Sequence, residues 1–375
     1  MRIAVLVNHV DISDSIEVTS VSIDKGLTDR ISTASFTIIV KDPAHAGKYD
    51  VSKYDQCVYG GAVFQELDDV LIGGVIPGGY SPVLFRGMIN RLEYARESSH
   101  VLKIQCSCQD YAADMERAIA PIANYINQTD RLILTTLIII YCPRITAAPA
   151  FIAETTPPIA RYVAESKSVR QIVEDICELT GLSWQVSNGY LLYFTPTTYP
   201  APFGLSSAPD GASTFGIDAF TEYVRDFIRP VNRCTVIGGI GTVSGGGTGT
   251  INMTFTDAAS ISQYGIHELA IVDRDITTEA DALLRATVEV TQQAYPEESF
   301  TVKTFKDGLD VGQSIPVYHS DYGVNGTYLI RGMRIRQRTR ILTEYELDIG
   351  VKPPDLVTML RKLEARTRQP ISTGS

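Results

Sequence analysis

The sequence predicts an α+β fold that is mainly β, with two similar antiparallel β units and a helix-plus-hairpin unit inserted between them. Its 375 residues include 29 Gly, 18 Pro and 19 Tyr, which is typical of strands and turns rather than of a helical bundle. The tripeptide Arg-Gly-Met occurs at residues 86–88 and again, 245 residues later, at residues 331–333. Each copy follows a short apolar strand and leads into a long hairpin. The repetition indicates a duplicated barrel or sheet domain, which would let a trimer present six similar units.

The first unit begins with three predicted strands. Residues 3–7, 16–23 and 35–40 are rich in β-branched side chains and are separated by polar turns, and Asp42-Pro43 closes this meander. Glycine-rich residues 55–80 predict a hairpin with a loop. The Arg-Gly-Met hairpin then ends near Cys108, with a predicted register that pairs Glu93 with Lys103, Leu92 with Ile104, Tyr94 with Leu102 and Met88 with Cys108.

The inserted unit contains the clearest helix. Residues 111–123 have helical spacing, and the apolar run 132–141 predicts a buried helix or strand, since it is far shorter than the ~20 residues that span a membrane. Ser168 and Gln171 form a capping-box pattern, and Gly181 stands where a left-handed residue ends a helix. The apolar face of this helix holds Val169, Ile172, Val173, Ile176 and Leu179.

A hairpin and a linker complete the insert. Residues 184–186 and 190–194 flank Asn188-Gly189, a strong hairpin turn signal. Residues 196–215 are rich in Pro, Gly and Ser and are predicted to be a linker.

The second unit begins at residues 220–238, where 233–237 is strand-like. Seven of the twelve residues 238–249 are glycine, and because no helix follows, this segment predicts a flexible loop rather than a phosphate cradle. Thr277 or Thr278 caps a helix, and strands 300–305 and 314–319 alternate with turns at Asp307-Gly308 and Asn325-Gly326. The helix carries Ala280, Leu283, Leu284 and Val288 on one side.

The second Arg-Gly-Met hairpin carries an arginine stripe. A turn near residues 340–342 would set Arg334, Arg336 and Arg338 opposite Asp348, Glu346 and Glu344, and Met333 and Ile335 opposite Ile349 and Leu347. One face would be an ion-pair ladder and the other core. The alternative is a phosphate-binding stripe. We favour the ladder, with Arg340 and the C-terminal arginines free to contact a neighbouring subunit.

Charge is unevenly distributed. Residues 1–330 hold 23 Lys+Arg against 38 Asp+Glu, a net charge of −15, whereas residues 331–375 hold 10 against 5, a net charge of +5. An acidic body argues against tight binding of nucleic acid. Pro353-Pro354 stops the sheet, and residues 356–367 predict a short basic helix.

We predict no catalytic, metal-binding or cofactor-binding residue. The six cysteines (57, 106, 108, 142, 177 and 234) lack zinc spacing and are interpreted as free thiols of a protein made in a reducing cytoplasm, with Cys106 and Cys108 facing the core. His319, Ser320 and Asp321 are adjacent without a nucleophile elbow. The acidic pairs Asp68-Asp69 and Glu297-Glu298 are interpreted as solvated loop charges rather than as a glycosidase pair.

Part of the chain resembles a known family. Residues 168–184 are similar to the helix, Gly-Leu and strand element of hub proteins at the distal end of long-tailed bacteriophage tails, and residues 271–286, 308–317 and 325–332 match the later part of that family. The resemblance implies two tail-tube-like barrels per chain. The expected domains are 1–108 (first barrel), 109–215 (insert with linker), 216–352 (second barrel, with 238–299 a candidate for packing on the insert) and 353–375 (basic C-terminal tail).

The same resemblance implies a non-enzymatic virion protein. The expected assembly is a homotrimeric tail-tip or baseplate hub that joins the sixfold tail tube, or a distal tail protein, to a threefold spike or fibre. Genomic DNA would pass through its lumen without specific binding, and the chain would not insert into a membrane. Synthesis in the host bacterial cytoplasm is expected. The alternatives are a hexameric distal-tail adaptor, the hub of a phage-like injection device and, from another class, a secreted glycan-active β protein, for which Trp184 is the only tryptophan available.

Overall fold

The computed structural model describes residues 2–28, 30–41, 57–59, 62–76, 79–98, 101–156, 158–195, 198–226, 230–244, 247–274 and 276–350. Within these ranges the chain is mainly β, as the sequence predicts, and has five α-helices. No helix in the same ranges has the length and apolar character needed to cross a bilayer. The predicted turn at 42–43, the stop at 353–354 and the basic helix at 356–367 lie outside the described residues.

The first repeat is built from nine strands. They are β1 (Ile3–Val7), β2 (Val10–Asp11), β3 (Ser22–Gly26), β4 (Thr33–Lys41), β5 (Cys57–Tyr59), β6 (Ala62–Phe64), β7 (Asp69–Ile76), β8 (Gly79–Ser98) and β9 (Val101–Asp110). The predicted strand at 16–23 is largely wrong, because it follows a 3-10 helix at Ser13–Ser15, is interrupted by another at Val18–Ser20, and only its residues 22–23 belong to β3. The Ser20 hydroxyl donates to the Glu17 carbonyl at 2.6 Å and accepts from the Thr37 amide at 2.8 Å. Such side-chain bonds compete with a strand ladder.

The insert contains α1 (Ala112–Arg117), β10 (Ala123–Gln128), α2 (Asp130–Tyr141), β11 (Ile159–Ala164), α3 (Val169–Thr180), β12 (Ser183–Ser187) and β13 (Tyr190–Phe194). The predicted helix α3 is confirmed, with both capping-box bonds between Ser168 and Gln171 and with Gly181 at φ 72°. The Asn188-Gly189 turn is confirmed as well, both residues having positive φ. The apolar run 132–141 is a helix, and the predicted helix at 111–123 ends at Arg117, with β10 following.

The second repeat follows the insert directly. It contains β14 (Gly204–Ser206), β15 (Thr214–Gly216), β16 (Ala219–Asp226), β17 (Arg233–Val243), β18 (Gly247–Thr256), α4 (Ala258–Tyr264), β19 (Glu268–Val272), α5 (Glu279–Gln293), β20 (Glu297–Thr304), β21 (Ser314–His319), β22 (Val324–Gln337) and β23 (Thr343–Gly350). The predicted linker at 196–215 therefore contains β14 and the start of β15. The predicted Asn325-Gly326 turn is wrong, since both residues lie in β22 opposite Tyr318 and Val317.

The glycines at 238–241 lie in strand β17 and not in a flexible loop. An added Cβ would lie 2.4 Å from the Ile276 carbonyl oxygen at Gly238, 2.3 Å from that of Arg274 at Gly239, and 1.9 Å from that of Thr277 at Gly241. The chain that leads into α5 thus crosses directly over β17. These positions require glycine because backbone approaches backbone, not because a phosphate binds there.

Helix α5 is capped by Thr278 as predicted, but its predicted apolar face is wrong. Ala282, Ala286 and Val290 are buried in a core with β17 and β18, whereas Ala280 and Leu283 are exposed. Val288 lies on another side of the helix, against Gly181 at the end of α3. Small residues face the sheet because α5 packs closely on it, so the bulkier residues mark the wrong face.

Both Arg-Gly-Met hairpins have registers that differ from the predicted ones. In the second, Arg334 lies opposite Glu346, Arg336 opposite Glu344, Met333 opposite Leu347 and Ile335 opposite Tyr345, a slip of two residues. In the first, Glu93 lies opposite Gln105, Leu92 opposite Cys106, Tyr94 opposite Ile104 and Met88 opposite Gln109. In the second hairpin the loop between Gln337 and Thr343 is centred one residue before the predicted turn, which shifts the pairing by two. Bulges near Ile330–Gly332 and Ile89–Arg91 change the register again at the ends of the hairpins remote from the turns. Between each bulge and its turn the faces keep their predicted character, because a slip of two preserves the alternation. Met88 is the exception: it lies beyond the bulge, is shifted by one residue, and Ile89 takes its predicted place opposite Cys108 in the core.

The two repeats have the same strand order. In the first, the order across the sheet is β3-β4-β9-β8-β7, and in the second it is β16-β20-β23-β22-β21. Strand β3 also pairs with β22, so both repeats belong to one 14-stranded sheet. They share one core. The insert has a core of its own, and so does the layer that α5 forms with strands β17, β18 and β19, here called the α5 layer. The division into domains at 108, 215 and 352 stays a prediction.

Candidate functional site

The outer side of strands β20, β23, β22 and β3 carries a set of paired charges, here called the charged face. It consists of Asp24, Lys303, Arg334, Arg336, Arg338, Glu344, Glu346 and Asp348. Alternation along each strand puts these side chains on the side opposite Ile23, Ile335 and Leu347, which are buried. The charged face is therefore the polar side of a half-buried sheet.

Arg334 and Glu346 form the centre of this face. A guanidinium nitrogen of Arg334 lies 2.7 Å from Glu346 Oε1 and another lies 3.5 Å from Asp24. Lys303 Nζ lies 3.1 Å from the other Glu346 oxygen. The ladder thus runs across four strands. Asp24 and Lys303 were not predicted to belong to it, because their strands are distant in the chain.

Arg338 and Glu344 make the most complete ion pair. Arg338 Nε and Nη2 donate to the two Glu344 carboxylate oxygens at 3.0 and 2.7 Å. The Glu344 side chain is only 9% exposed. The hydrogen bond from Arg338 lowers the pKa of Glu344 below its ordinary value, although burial acts in the opposite direction. Of the three predicted ion pairs, this one is present, although it is Arg336 that lies directly opposite Glu344 in the strand register.

Arg336 and Arg340 are the exceptions among the four arginines. Within the described ranges, neither has a carboxylate at ion-pair distance. Arg336 borders a groove of about 320 Å³ that is lined mainly by small polar side chains, such as Ser22, Ser35 and Ser107. Arg340 is exposed near the hairpin end. Two separate arginines do not make a phosphate-binding stripe, so the geometry favours the ladder interpretation.

A second feature is the junction between the repeats. Ile23 and Ile335 lie opposite each other across β3 and β22, both buried. The Leu27 amide donates to the Arg331 carbonyl at 2.9 Å, and Lys25 Nζ lies 2.7 Å from Asp310 Oδ1. Lys25 is 8% exposed and the Asp310 side chain 33%, so this contact is a partly buried ion pair that joins the repeats. No sequence pattern indicates it, since its partners are 285 residues apart.

The acidic pairs Asp68-Asp69 and Glu297-Glu298 were predicted to be solvated loop charges. In the structure Asp68, Asp69 and Glu298 have structural contacts instead. Asp68 is 6% exposed and accepts from the Gln65 amide at 2.8 Å. Asp69 accepts from the Tyr111 hydroxyl, and burial together with this bond raises the pKa of Tyr111 to about 12. Glu298 accepts from the Tyr328 hydroxyl at 2.8 Å and lies 3.6 Å from Arg225. These contacts hold strands together and leave no opposed carboxylate pair.

His319 belongs to an aromatic cluster and not to a triad. Its ring lies 4.5 Å from Phe220 and 5.0 Å from Tyr322, between centroids. Its Nδ1 atom is buried with no hydrogen-bond partner in the described part of the chain, and Ser320 donates to Asp321 at 3.1 Å instead. The cluster lies beside strand β16 and also includes Tyr223 and Phe300.

Five cysteines, at positions 106, 108, 142, 177 and 234, are buried free thiols. Cys106 and Cys108 face the core as predicted, and burial raises the pKa of Cys142 to about 12 and that of Cys234 to about 11. Thiols with such pKa values are poor nucleophiles and poor metal ligands at neutral pH. Across the described residues no group of His, Cys, Asp and Glu has the arrangement of a metal site.

The fold is that of bacteriophage tail proteins. The structure is similar to the 43 kDa tail protein of prophage MuSo2 from Shewanella oneidensis (TM-score 0.64, 16% identity, 93% of this chain and 97% of that one). It is similar to the same degree to a tail protein from Neisseria meningitidis MC58 (TM-score 0.64, 16% identity, 94% and 96% covered). A type VI secretion component of E. coli, described as structurally similar to the T4 tail proteins gp27 and gp5, also matches (TM-score 0.50, 11% identity, 90% and 76% covered). Neither a protein-family model nor a curated protein sequence matches.

Proposed function

We propose that this chain is the trimeric hub of a phage tail tip or baseplate. The observation that carries the proposal is the repetition of one five-stranded unit, with the two copies joined edge to edge through β3 and β22 in a single chain. Three chains would then supply six such units. The fold that the chain shares with tail proteins over more than nine-tenths of its length supports this reading.

The proposed mechanism is symmetry matching. Six similar units form a ring that continues a sixfold tail tube or meets a distal tail protein. The inserts and the α5 layers differ from the repeated unit, so they follow the threefold symmetry of the chains and offer a threefold seat for a spike or fibre. This arrangement needs no catalytic residue, and the proposed role is structural.

The charged face suits passage of DNA. Most of its cations lie within 4 Å of a carboxylate, as Arg334, Arg338 and Lys303 show. A protein that grips DNA exchanges free Lys and Arg for the counterions of the phosphates. Paired cations do this poorly, so a lumen lined by such a face would let genomic DNA slide. The protein would act in the virion after synthesis in the host cytoplasm.

Two related alternatives keep the same fold. The similarity to the type VI secretion component favours the hub of a phage-like injection device as the second candidate. A hexameric distal-tail adaptor would need six copies of the chain and would leave the internal repetition without a purpose. The glycan-active alternative loses its one tryptophan, since Trp184 is 2% exposed in the core of the insert.

Electron microscopy of the purified protein tests the proposal. Class averages viewed down the ring axis should show near-sixfold symmetry in the layer of repeated units and threefold symmetry in the layer of inserts. A ring with sixfold symmetry in both layers would identify the hexameric adaptor instead. Particles without a ring would contradict both.

A further inference from the structure

The groove beside Arg336 lies where the two repeats meet. It has a volume of about 320 Å³ and is lined by residues of β22 in the second repeat and of β3, β4, β8 and β9 in the first. Strand pairing explains its position, since Arg336 lies opposite Ser22, Ser22 opposite Ser35, and Ser35 opposite Ser107. Directly opposed side chains point to the same side of a sheet. Three short hydroxyl side chains therefore follow one arginine across four neighbouring strands and leave room beside its guanidinium.

The groove is lined mainly by groups that form hydrogen bonds. Besides the three serines it contains the side chains of Thr33, Asn90 and Gln109. Over the described ranges, none of these polar side chains makes a hydrogen bond to another residue, so their donors are available to a ligand. The described lining contains no aromatic ring, so the groove offers no stacking surface for a base or a sugar ring.

The two arginines that line the groove differ in their partners. Arg334 is held by Glu346 at 2.7 Å and lies 3.5 Å from Asp24, a carboxylate that also lines the groove. Arg336 has no carboxylate at ion-pair distance within the described ranges, and Glu344 opposite it is already bound by another arginine. One guanidinium in the groove is therefore not engaged by the protein itself, and the ligand that complements it is an anion.

Asp24 determines which end of the groove suits an anion. Its carboxylate lies on β3 two residues from Ser22, about 6–7 Å along the strand, and it would repel an anion placed beside Arg334. The favourable position is therefore at the other end, between Arg336, Ser22 and Ser35.

We propose that this groove binds one phosphate group, with Arg336 as the charged anchor and the Ser22 and Ser35 hydroxyls as further donors. A guanidinium donates two parallel hydrogen bonds to two oxygens of an anion. A carboxylate has only those two oxygens, whereas a phosphate has further oxygens that accept from the hydroxyls. Side chains directly opposed on neighbouring strands have Cβ atoms about 4.5–5.5 Å apart, which lets both serines reach one tetrahedral group.

A single phosphate site differs from a phosphate-binding stripe. A stripe follows several phosphates of one backbone and gives binding that depends steeply on salt, whereas one contact changes the logarithm of the binding constant by only about 0.9 per decade of salt. The site is therefore compatible with a chain that does not hold DNA tightly. It does not depend on the oligomeric state. Two sources supply the same chemistry, namely free phosphate and the phosphodiester of a nucleic acid.

Phosphorus NMR of inorganic phosphate tests the proposal on the assembled full-length protein. At ~50 mM salt, where screening is weak, wild type should broaden the phosphate signal in a saturable way. Arg336→Gln should weaken this binding by at least about tenfold, because it removes charged hydrogen bonds to the anion. Arg336→Lys keeps the charge without the planar fork and should give an intermediate affinity. Ser22→Ala combined with Ser35→Ala keeps every charge and should also weaken binding.

Arg340→Gln is the matched control. It removes an arginine of the same hairpin that does not line the groove, and it should change the affinity by less than about twofold, since exposed charges at a distance are screened. Thermal unfolding confirms that each variant is folded, as expected for an Arg336 side chain that takes part in no ion pair of the described chain.

A short DNA duplex added at the same salt distinguishes the two sources. Displacement of inorganic phosphate from wild type by the duplex would identify the phosphodiester as a ligand, and phosphate binding without displacement would identify the free anion. Equal phosphate binding by folded wild type and Arg336→Gln would overturn the proposal. Equal losses in Arg336→Gln and Arg340→Gln, or no binding of phosphate or duplex by wild type, would overturn it as well.

Discussion

At the scale of single residues, the stability of the protein depends on the ion pair between Glu344 and Arg338. Its side chain is 9% exposed, and Arg338 supplies two hydrogen bonds to it. We expect Arg338→Ala to lower the free energy of unfolding by about 1–3 kcal/mol, because it leaves a nearly buried carboxylate without its donors. Arg336→Ala, on the same strand and face, is the matched control and should cost clearly less. Equal losses in urea denaturation would show that the ion pair contributes nothing specific.

Asp110 gives the protein a pH dependence of known sign. It is 3% exposed, and burial raises its pKa from the ordinary 3.8 to about 6, although the Ser32 and Ala112 amides donate to it. Between these values the native state holds a proton that the unfolded chain has lost. The contribution of this group to stability therefore increases as the pH falls through 6 and levels off below about 4.

The matching experiment compares wild type with Asp110→Asn from pH 7 to pH 4. The stability of wild type relative to the variant should rise by about 3 kcal/mol on acidification, since one pKa unit is worth about 1.4 kcal/mol. Asp14→Asn, at a side chain that is 93% exposed, controls for loss of a carboxylate. A difference that stays constant with pH, or that falls on acidification, would contradict the assignment.

At the scale of elements, the two Arg-Gly-Met glycines are in different surroundings. An added Cβ at Gly87 would lie 2.1 Å from the backbone oxygen of Gln109, whereas at Gly332 the nearest atom is Asp348 Oδ2 at 3.0 Å. Backbone cannot move aside, but the end of a carboxylate side chain can. Gly87→Ala should therefore destabilise the protein by about 3 kcal/mol, and Gly332→Ala by less than about 1 kcal/mol. Thermal unfolding of the two variants measures the contrast, and similar losses would count against it.

The sequence predicts which face of a strand a side chain occupies better than it predicts which residue lies opposite it on the next strand. Side-chain alternation identifies Met333, Ile335 and Leu347 as core, and all three are buried. It does not determine whether Arg334 lies opposite Glu346 or Asp348, because both registers put the same side chains on the same face. The position of the loop between Gln337 and Thr343 decides between them, and the sequence does not show where that loop begins and ends.

Helix α3 and strand β16 illustrate two extremes of prediction. The capping box, the periodic apolar residues and Gly181 all indicate α3, and its predicted start and end are confirmed. The contacts of Phe220 in β16 depend on Val302, Phe300 and Tyr322, far along the chain. Local patterns carry no information about such contacts, so the aromatic cluster was not predicted.

At the scale of the whole molecule, the repetition is visible in the sequence but the junction is not. Pairing of β3 with β22 brings together residues about 310 positions apart, such as Asp24 and Arg334. The insert is tied to both repeats, since the Thr28 amide donates to the Trp184 carbonyl and the Gln185 side chain donates to the Val311 carbonyl. The two repeats therefore form one continuous scaffold with the insert held against it.

The charge distribution also predicts how strongly the assembled protein binds DNA. Its cations on the charged face are largely paired, and residues 1–330 carry a net charge of −15. We expect negligible binding of double-stranded DNA at ~150 mM salt, because few free cations remain on the charged face to replace phosphate counterions. Arg334→Ala with Glu346→Ala removes a cation and an anion together and serves as a charge-neutral control. Tight, salt-sensitive binding by the wild-type protein would contradict a passive conduit.

The central claim is that two equivalent units per chain let three chains build a sixfold ring, and the native mass of the assembly tests it most directly. Native mass spectrometry should give about 123 kDa, three times the 41.1 kDa of one chain. The same mass should persist when the protein is diluted over a tenfold range. A mass six times that of the chain would place one unit of each subunit outside the ring symmetry and contradict the claim, and a stable mass of one chain would do the same.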